Sequence, residues 1–150
     1  MRVREIMTKG PACCTPSDTV ERAAQLMEEN DCGMIPVVEA VNNSRLVGVI
    51  TDRDIAVRGV AKGRTSKTHV GELMTPAPFS CTPDAKVDDV ERVMSDRQVR
   101  RVVIVDDDNC CVGVVAQADI ALAAERYADV DDREVANLVE RISEPPAAGA

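Results

Sequence analysis

The sequence predicts an α+β fold of two tandem β-α-β-β-α repeats with a C-terminal helix. Three observations support this prediction: an internal repeat, short β-branched stretches typical of strands, and apolar residues at helical spacing between those stretches. Phe79 and Tyr127 are the only aromatic residues, so we expect a core of Val, Ile, Leu, Met and Ala. A unit of under about 60 residues is marginal by itself, and the two repeats are therefore expected to pack together.

The internal repeat becomes visible when "VREIMTKGPACCTPSDTVERAAQLM" is placed over "VGELMTPAPFSCTPDAKVDDVERVM". Residues that recur 67 positions later in the chain include Val3, Met7, Thr8, Pro11, Cys14, Thr15, Pro16, Val20 and Met27, which return at Val70, Met74, Thr75, Pro78, Cys81, Thr82, Pro83, Val87 and Met94. Later in each copy the offset falls to 65, which pairs Gly48 with Gly113 and Asp54 with Asp119. The difference lies in a predicted hairpin loop, where length changes are tolerated.

Within each repeat the pattern predicts a strand, a helix, a two-stranded hairpin and a second helix. The first strand ends at a Thr-Pro pair, because proline disfavours a helical conformation for the residue before it. The β-branched stretches 35–38 and 46–50, joined through Asn42-Asn43, predict an antiparallel pair. The first helix of each repeat carries an apolar stripe. The stripe consists of Val20, Ala23, Ala24 and Met27 in the first repeat and of Val87, Val90 and Met94 in the second.

The predicted division of the chain is repeat 1 at 1–61, a polar and flexible linker at 62–68, repeat 2 at 69–124, and a C-terminal helix and tail at 125–150. The helix is predicted from an apolar stripe that follows two aspartates, which favour a helix N-terminus. These residues are Asp131, Asp132, Val135, Leu138, Val139 and Ile142. We expect the helix to pack on the repeats or to make a dimer contact, and the tail 145–150 to be disordered.

The charge of the chain bears on two classes of partner, although a small local basic site remains open. The formal net charge is −8 and the pI is about 4.7, which disfavours binding to nucleic acid or to anionic membranes. The N-terminus lacks the apolar region of a signal peptide, and no apolar run approaches the roughly 18 residues that span a bilayer. We therefore expect a cytoplasmic protein.

The six cysteines are best interpreted as buried reduced thiols. Their spacing fits neither a zinc site nor a disulfide framework, and His69 is the only histidine. A thiol switch through the adjacent pairs Cys13-Cys14 or Cys110-Cys111 is a minor alternative. With one histidine, placed in a loop, and no nucleophile beside a base, the sequence predicts no catalytic residue and no metal site. The acidic run 106–108 is interpreted as a solvated turn rather than a cation site.

The stretch "GVITDRD", residues 48–54, has two interpretations. Thr51 and Asp54 form a capping-box pattern at a helix start, which is a common structural feature. The same geometry offers a hydroxyl and backbone donors to phosphate and a carboxylate to a ribose diol. The second repeat has Ala116 in place of the threonine but keeps Asp119, which makes it a poor capping box, so the comparison weakens the capping interpretation without removing it.

The sequence resembles a tandem pair of cystathionine β-synthase (CBS) domains, often called a Bateman module, over residues 3–124. The resemblance rests on the repeated openings "IMT…TP…V…A…LM" and "LMT…TP…V…V…VM", the strands "MIPVV" and "RVVIV", and the closers "GVITDRD" and "GVVAQAD". It implies that the two repeats pair with pseudo-twofold symmetry. It also implies two clefts that bind adenine nucleotides or related adenosyl ligands.

The resemblance also implies which residues contact such a ligand. Thr51 maps onto the phosphate contact and Asp54 onto the ribose contact, whereas in the second repeat only Gly113 and Asp119 map, because Ala116 lacks the hydroxyl. Further candidates are Arg100, Arg101, Ile35, Pro36, Thr15 and Thr82. The two arginines either contact phosphate or form a solvated surface pair. Ile35 and Pro36 either form a wall around the purine or contribute to the core alone. The threonines are expected to contact the ligand edge through backbone groups.

The leading functional interpretation is a non-catalytic regulatory module that binds AMP, ADP or ATP, with NAD and S-adenosylmethionine as further candidates. It requires no cofactor. Ligand binding is expected to change the packing of the lobes or of the subunits of a homodimer. The module would then act on an unidentified protein partner in trans, or sense the ligand as a free-standing dimer. The alternative is a dimerisation or interaction scaffold that binds no nucleotide.

Overall fold

The fold is known from a computed structural model, which describes residues 1–126 and 132–143. The helices are α1 (Val20–Glu29), α2 (Val70–Leu73), α3 (Val87–Arg97), α4 (Gln117–Arg126) and α5 (Asp132–Ser143). The strands are β1 (Thr8–Lys9), β2 (Met34–Ala40), β3 (Asn43–Thr51), β4 (Thr75–Pro76), β5 (Ser80–Cys81), β6 (Arg101–Val105) and β7 (Cys111–Ala116). They form sheets of order β1-β7-β6-β5 and β2-β3-β4. The predicted α+β class and C-terminal helix are confirmed; the predicted tail and Asp131 lie outside the described residues.

The described residues form two compact units that do not coincide with the two halves of the sequence. Unit 1 contains residues 1–8, 79–104 and the described residues from 114 onward, and unit 2 contains residues 9–78 and 105–113. The division of the chain at 61, 68 and 124 stays a prediction. Among the described residues, no helix is both long enough and apolar enough to cross a membrane.

Residues 1–8 belong to unit 1, together with the body of the second repeat. The Val3 N–H donates to the Ala85 carbonyl at 3.0 Å, and the Arg4 N–H donates to the Pro83 carbonyl at 3.0 Å. The Val3 side chain is fully buried. The first residues of the chain therefore complete the repeat that comes second in the sequence.

The opening residues of the second repeat make the equivalent contacts in unit 2. The Val70 N–H donates to the Asp18 carbonyl at 2.8 Å, and the Gly71 N–H donates to the Pro16 carbonyl at 2.9 Å. These four residues correspond, at the offset of 67, to the four that bond in unit 1. The repeats have therefore exchanged their opening segments.

Helix α1 begins at Val20, where the Thr19 hydroxyl accepts a hydrogen bond from the Arg22 N–H at 3.2 Å. Its buried residues are Val20, Ala23, Leu26 and Met27. The predicted stripe was wrong at Ala24, which is exposed, and missed Leu26. At about 100° per residue the buried arc is centred near Ala23, which brings Leu26 into the core and turns Ala24 out of it.

Strands β2 and β3 form the predicted antiparallel hairpin. Ile35 lies opposite Ile50, and the strands meet at the pair Ala40 and Asn43. All five residues from Met34 to Val38 are buried, although successive side chains of a strand point to opposite faces. This strand is therefore covered on both faces, which explains why its sequence is apolar without alternation.

In unit 1, helix α3 buries Val87, Val90 and Met94, as the predicted stripe required, and Glu91 as well. Helix α5 contacts both α3 and α4. Its Leu138 and Ile142 are buried, as the predicted stripe required. Val139 is 43% exposed, so the prediction that it belongs to the buried face was wrong. The side chains of Asp132 and Val135 lie outside the described residues. The C-terminal helix is thus an integral part of unit 1.

The two repeats contain the same turn with a different residue at its left-handed position. Gly10 has φ of +56°, and its N–H donates to the Val112 carbonyl at 3.3 Å. Ala77, 67 positions later, has φ of +45°, and its N–H donates to the Val47 carbonyl at 3.2 Å. A side chain with a Cβ is strained in this region, so Ala77 is the less favourable of the two.

We predict that Ala77→Gly increases the free energy of unfolding by about 1 kcal/mol, because glycine removes this strain. Gly10→Ala should decrease it by about the same amount. Urea unfolding monitored by circular dichroism measures both changes. Equal effects of the same sign would show that the backbone conformation at the turn is not what determines them.

We also predict that Leu138→Ala decreases the free energy of unfolding by about 2–5 kcal/mol, because it leaves a cavity under α5. The matched control Val139→Ala, one residue further along the helix, should change it by less than about 0.5 kcal/mol. The same urea experiment compares the two variants. A large loss for Val139→Ala with a small one for Leu138→Ala would contradict the described face of α5.

Candidate functional site

Gly48 places the end of β3 against β4. It lies opposite Pro76 in the sheet, and a Cβ at this position would stand 2.7 Å from the Met74 Sδ and 2.9 Å from the Thr75 carbonyl oxygen. Both distances are shorter than atoms tolerate, and the second involves backbone. Glycine is therefore required here for close packing, which fixes the path of the strand that ends at Thr51.

Thr51 and Asp54 form a reciprocal capping box at the end of that strand. The Thr51 N–H donates to the Asp54 Oδ2 at 3.0 Å, and the Asp54 N–H donates to the Thr51 Oγ1 at 3.1 Å. The π-helical turn Asp54–Gly59 follows. The structural interpretation of this motif is thus correct in geometry.

The cap leaves part of the Asp54 carboxylate available. Its Oδ1 lies 3.7 Å from the Arg58 Nε, too far for a hydrogen bond, and the side chain is 14% exposed. A carboxylate offers about four acceptor positions, so Asp54 can cap and still accept from a ligand. Arg58 was missed in the sequence analysis, although its spacing of four from Asp54 on a helix was a usable signal.

The second repeat keeps the carboxylate half of the cap. The Ala116 N–H donates to the Asp119 Oδ2 at 2.7 Å without any hydroxyl at position 116. The argument that Asp119 without a threonine disfavours capping was therefore wrong, because this half of the box needs only a backbone N–H. Capping and ligand binding both explain why the aspartate recurs.

The same backbone hydrogen bond closes the hairpin beside each capping motif. In unit 2 the Asp52 N–H donates to the Gly33 carbonyl at 3.0 Å, and in unit 1 the Gln117 N–H donates to the Arg100 carbonyl at 2.9 Å. Each bond holds the residue before β2 or β6 next to the turn that contains the capping aspartate.

The residues brought together in this way differ in charge between the units. In unit 2 the acidic side chain of Asp52 lies directly beside Gly33, because a Cβ added at Gly33 would stand 2.8 Å from the Asp52 Oδ2. In unit 1 the residue that corresponds to Gly33 is Arg100, which is exposed, and Arg101, which is half-buried, follows it. Within the described part of the chain neither guanidinium forms an ion pair. The expected difference in charge is thus present in the side chains.

Thr15 is adjacent to β2, but its backbone groups are already used. Its N–H donates to the Asp18 Oδ2 at 2.8 Å, and its carbonyl accepts from the Asp18 N–H at 3.1 Å. Its hydroxyl, 3.2 Å from the Ser17 hydroxyl, is the group with the most freedom to contact a ligand. In the second repeat Thr82 is exposed, and its carbonyl accepts from the Ala85 N–H at 3.1 Å.

Ile35 and Pro36 lie in the interior of unit 2. Ile35 belongs to the hydrophobic core with α1, and the Pro36 carbonyl accepts a hydrogen bond from the Cys14 N–H at 3.1 Å. Both side chains are buried. Core packing by itself accounts for the burial of both residues. Their burial therefore gives no support to a role as a wall around the purine.

The thiols beside the two threonines are held in the neutral form. Burial, with the charge of Asp18 and of Cys13, raises the pKa of Cys14 to about 12. Burial and the charge of Asp89 also raise the pKa of Cys81. All six cysteines are free, but only Cys14 is fully buried and the other five are half-buried. The prediction of buried thiols therefore holds for Cys14 alone.

A shallow groove of about 260 Å³ in unit 2 does not include the predicted site. It is lined by Val20, Glu21, Ala24, Ile55, Gly59, Val60, Arg64, Thr65 and Ser66. Its volume is below the roughly 300–1,000 Å³ of ligand pockets, and none of the nominated residues lines it. The groove is therefore not a candidate for the nucleotide.

The acidic run after β6 forms a turn. The Asp106 Oδ1 accepts from the N–H groups of Asp108 at 3.0 Å and of Cys110 at 2.9 Å. Among residues 1–126 and 132–143, no group of three or more His, Cys, Asp or Glu side chains is arranged to hold a metal ion.

Solved structures with the same fold include ligand complexes. The chain matches CBSX2 of Arabidopsis thaliana, solved in complex with AMP, with 27% identity, 83% of this chain and 96% of that chain covered, and a TM-score of 0.72. It matches the CBS domain pair of MJ0100, solved with 5-methylthioadenosine and S-adenosyl-L-methionine, with 29% identity, 85% and 98% covered, and a TM-score of 0.75.

A closer relative in sequence is Hypoxic response protein 1 of Mycobacterium tuberculosis, 36% identical over 128 residues, which cover 85% of this chain and 87% of that protein. A structure of Hypoxic Response Protein I with two coordinated zinc ions matches at a TM-score of 0.74, with 36% identity, 81% of this chain and 98% of that chain covered. The profile of the CBS domain matches residues 3–59 and 70–126. These matches confirm the resemblance found in the sequence: the chain belongs to the CBS domain family and contains two CBS domains in tandem.

Proposed function

We propose that this CBS pair is a non-catalytic regulatory module that binds an adenine nucleotide or a related adenosyl ligand. AMP, ADP and ATP are the leading ligands, and NAD and S-adenosylmethionine are further candidates. The observation that carries the proposal is the carboxylate of Asp54, which caps its turn through one oxygen and keeps the other without a hydrogen bond to the described residues. The AMP and S-adenosylmethionine complexes of related CBS pairs support this class of ligand.

In unit 2 the proposed contacts follow from the capping box. The Asp54 Oδ1 has lone pairs to accept from a ribose hydroxyl, and the carboxylate as a whole suits a vicinal diol. The Thr51 hydroxyl accepts from the Asp54 N–H, so its own hydrogen is free to donate to a phosphate oxygen. The Thr15 hydroxyl is the third proposed polar contact, in place of the backbone contact first expected.

In unit 1 the proposed site lacks the hydroxyl but has positive charge. Asp119 takes the place of Asp54, while Ala116 offers no donor from its side chain. We assign the phosphate contact there to Arg100 and Arg101, since guanidinium groups bind phosphate in a bidentate manner. Thr82, which is exposed, is the remaining candidate in this unit. The two sites should therefore differ in their preference for ligand charge.

Regulation would follow from a difference in affinity between conformations. A ligand shifts a conformational equilibrium only as far as it binds one arrangement more tightly than the other. We propose that the arrangement of the lobes, or of two subunits of a homodimer, is the property that the ligand changes. A protein partner in trans would then respond to that arrangement. Residence in the cytoplasm stays a prediction from the sequence.

The scaffold hypothesis is the second candidate, and one observation favours it. The capping bonds of Asp54 and Asp119 explain the recurrence of the aspartate without any ligand. A scaffold of this kind would dimerise but would show no stabilisation by nucleotides.

We predict that AMP at about 100 times its dissociation constant stabilises the native chain by roughly 2.7 kcal/mol. Asp54→Asn keeps an oxygen for the Thr51 N–H but loses the charge and one acceptor, so it should fold normally and bind AMP at least tenfold more weakly. A charged hydrogen bond contributes about 1.5–3 kcal/mol, which corresponds to this loss. Thermal unfolding and isothermal titration calorimetry measure the two effects.

Asp107→Asn is the matched control, because it makes the same chemical change at an exposed turn residue of the same unit. Asp119→Asn reports the second site in the same way. Full AMP affinity in both Asp54→Asn and Asp119→Asn would contradict the ribose contact. Absence of any response of the native chain to the five ligands would favour the scaffold.

A further inference from the structure

Phe79 is an exposed aromatic side chain whose ring is stacked against a charged group on one face. The guanidinium carbon of Arg97 lies 3.6 Å from the centroid of the ring. A cation is attracted to the face of an aromatic ring, so this contact holds the ring in one orientation. Phe79 is nevertheless 51% exposed. The ring therefore keeps surface to which a second planar group can bind.

The sheet of unit 1 places Phe79 at the same edge as the candidate site of that unit. Phe79 directly precedes β5, which runs parallel to β6 with Ser80 opposite Val103. The N-terminal end of β6 therefore lies beside Phe79. On the other side of β6 lies β7, where the Arg100 carbonyl accepts a hydrogen bond from the Gln117 N–H at 2.9 Å.

The distance across this edge suits one nucleoside. Neighbouring strands are about 4.8 Å apart, so two strand spacings separate Phe79 from the end of β7 by roughly 10 Å. Asp119, the proposed ribose contact, caps the turn that follows β7 through the Ala116 N–H. All of these residues belong to unit 1. A ligand whose ribose binds Asp119 can therefore extend its base across β6 towards Phe79.

The corresponding place in unit 2 has neither an aromatic ring nor a guanidinium. At the offset of 67, Phe79 corresponds to Ala12 and Arg97 corresponds to Asn30. Ala12 packs against the hydrophobic core, and the Asn30 side chain donates to the Leu26 carbonyl at 2.8 Å. The repeat therefore folds without a stacked pair at this position. Packing of the repeat does not explain the exposed ring in unit 1.

We propose that Phe79 is the residue on which the adenine base stacks in the site of unit 1, and that Arg97 is the residue that positions its ring. This inference rests on the proposed function, because it adds a base contact to the ribose and phosphate contacts assigned above. It makes Phe79 the residue that selects a ligand with a flat aromatic base. Unit 2, with Ala12 at this position, binds its ligand without such a contact.

Stacking can be separated from simple apolar contact by the shape of the side chain at position 79. Leucine is apolar but has no flat face, whereas tryptophan has a larger flat face than phenylalanine. Loss of a base–aromatic stack weakens binding by about 5- to 150-fold. A side chain that acts only through its apolar surface would tolerate leucine, but one that acts by stacking would not.

The experiment measures the binding of AMP and ATP by isothermal titration calorimetry to full-length chains that carry Asp54→Asn, which weakens the site of unit 2. Addition of Phe79→Leu should weaken binding by about 5- to 150-fold, and addition of Phe79→Trp should preserve it. Because Phe79 is half exposed, both variants should fold, and thermal unfolding checks this. Ribose 5-phosphate, which lacks the base, should bind equally with and without Phe79→Leu.

Fluorescence gives a second measurement at the same position. The chain has no tryptophan, so Phe79→Trp reports on this position alone. AMP should quench the emission because the base stacks on the indole, and ribose 5-phosphate should not. Val41→Trp is the matched control, since Val41 is 99% exposed and belongs to unit 2, and its emission should not respond to AMP.

The outcomes separate this inference from the proposed function. Equal affinity for AMP and ATP with and without Phe79→Leu would overturn the stacking, and so would an unquenched tryptophan in Phe79→Trp at saturating AMP. Both results leave the proposed function in place. A native chain that binds neither AMP nor ATP would also overturn the stacking, whereas the proposed function fails only if the native chain binds none of the five ligands.

Discussion

The exchange of opening segments between the repeats is the constraint on which the rest of the structure depends. The amides of Val3 and Val70 donate to the carbonyls of Ala85 and Asp18, which precede the first helix of the opposite repeat. A buried backbone group that lacks a partner is costly, so these bonds cannot be lost separately from the helices they precede. Neither repeat is complete in its own stretch of sequence, which gives a physical reason for the tandem arrangement.

Within this framework the capping aspartates are the residues that the fold shares with the proposed binding role. Asp54 and Asp119 each accept a backbone N–H three residues earlier through one oxygen. A cap fixes the carboxylate in one orientation, and a fixed carboxylate loses less entropy when it binds a ligand. Capping is therefore compatible with a role in binding and would prepare the side chain for it. The substitution at position 116 removes a hydroxyl but leaves the carboxylate in place.

The two repeats differ in charge at the candidate sites. Unit 2 has Gly33 beside the acidic Asp52, whereas unit 1 has two arginines in the corresponding place. Two similar repeats thus provide chemically different surfaces at corresponding positions.

Much of the fold was predictable from the sequence, because the repeat, the hairpin and the α3 stripe are local patterns that follow from backbone period and side-chain polarity. The capping motif was predictable for the same reason, since Thr51 and Asp54 are three residues apart. The exchanged openings and the exposure of Ala24 were decided only by the tertiary structure. Each of them depends on which distant segments of the chain contact each other, and local sequence patterns do not determine those contacts.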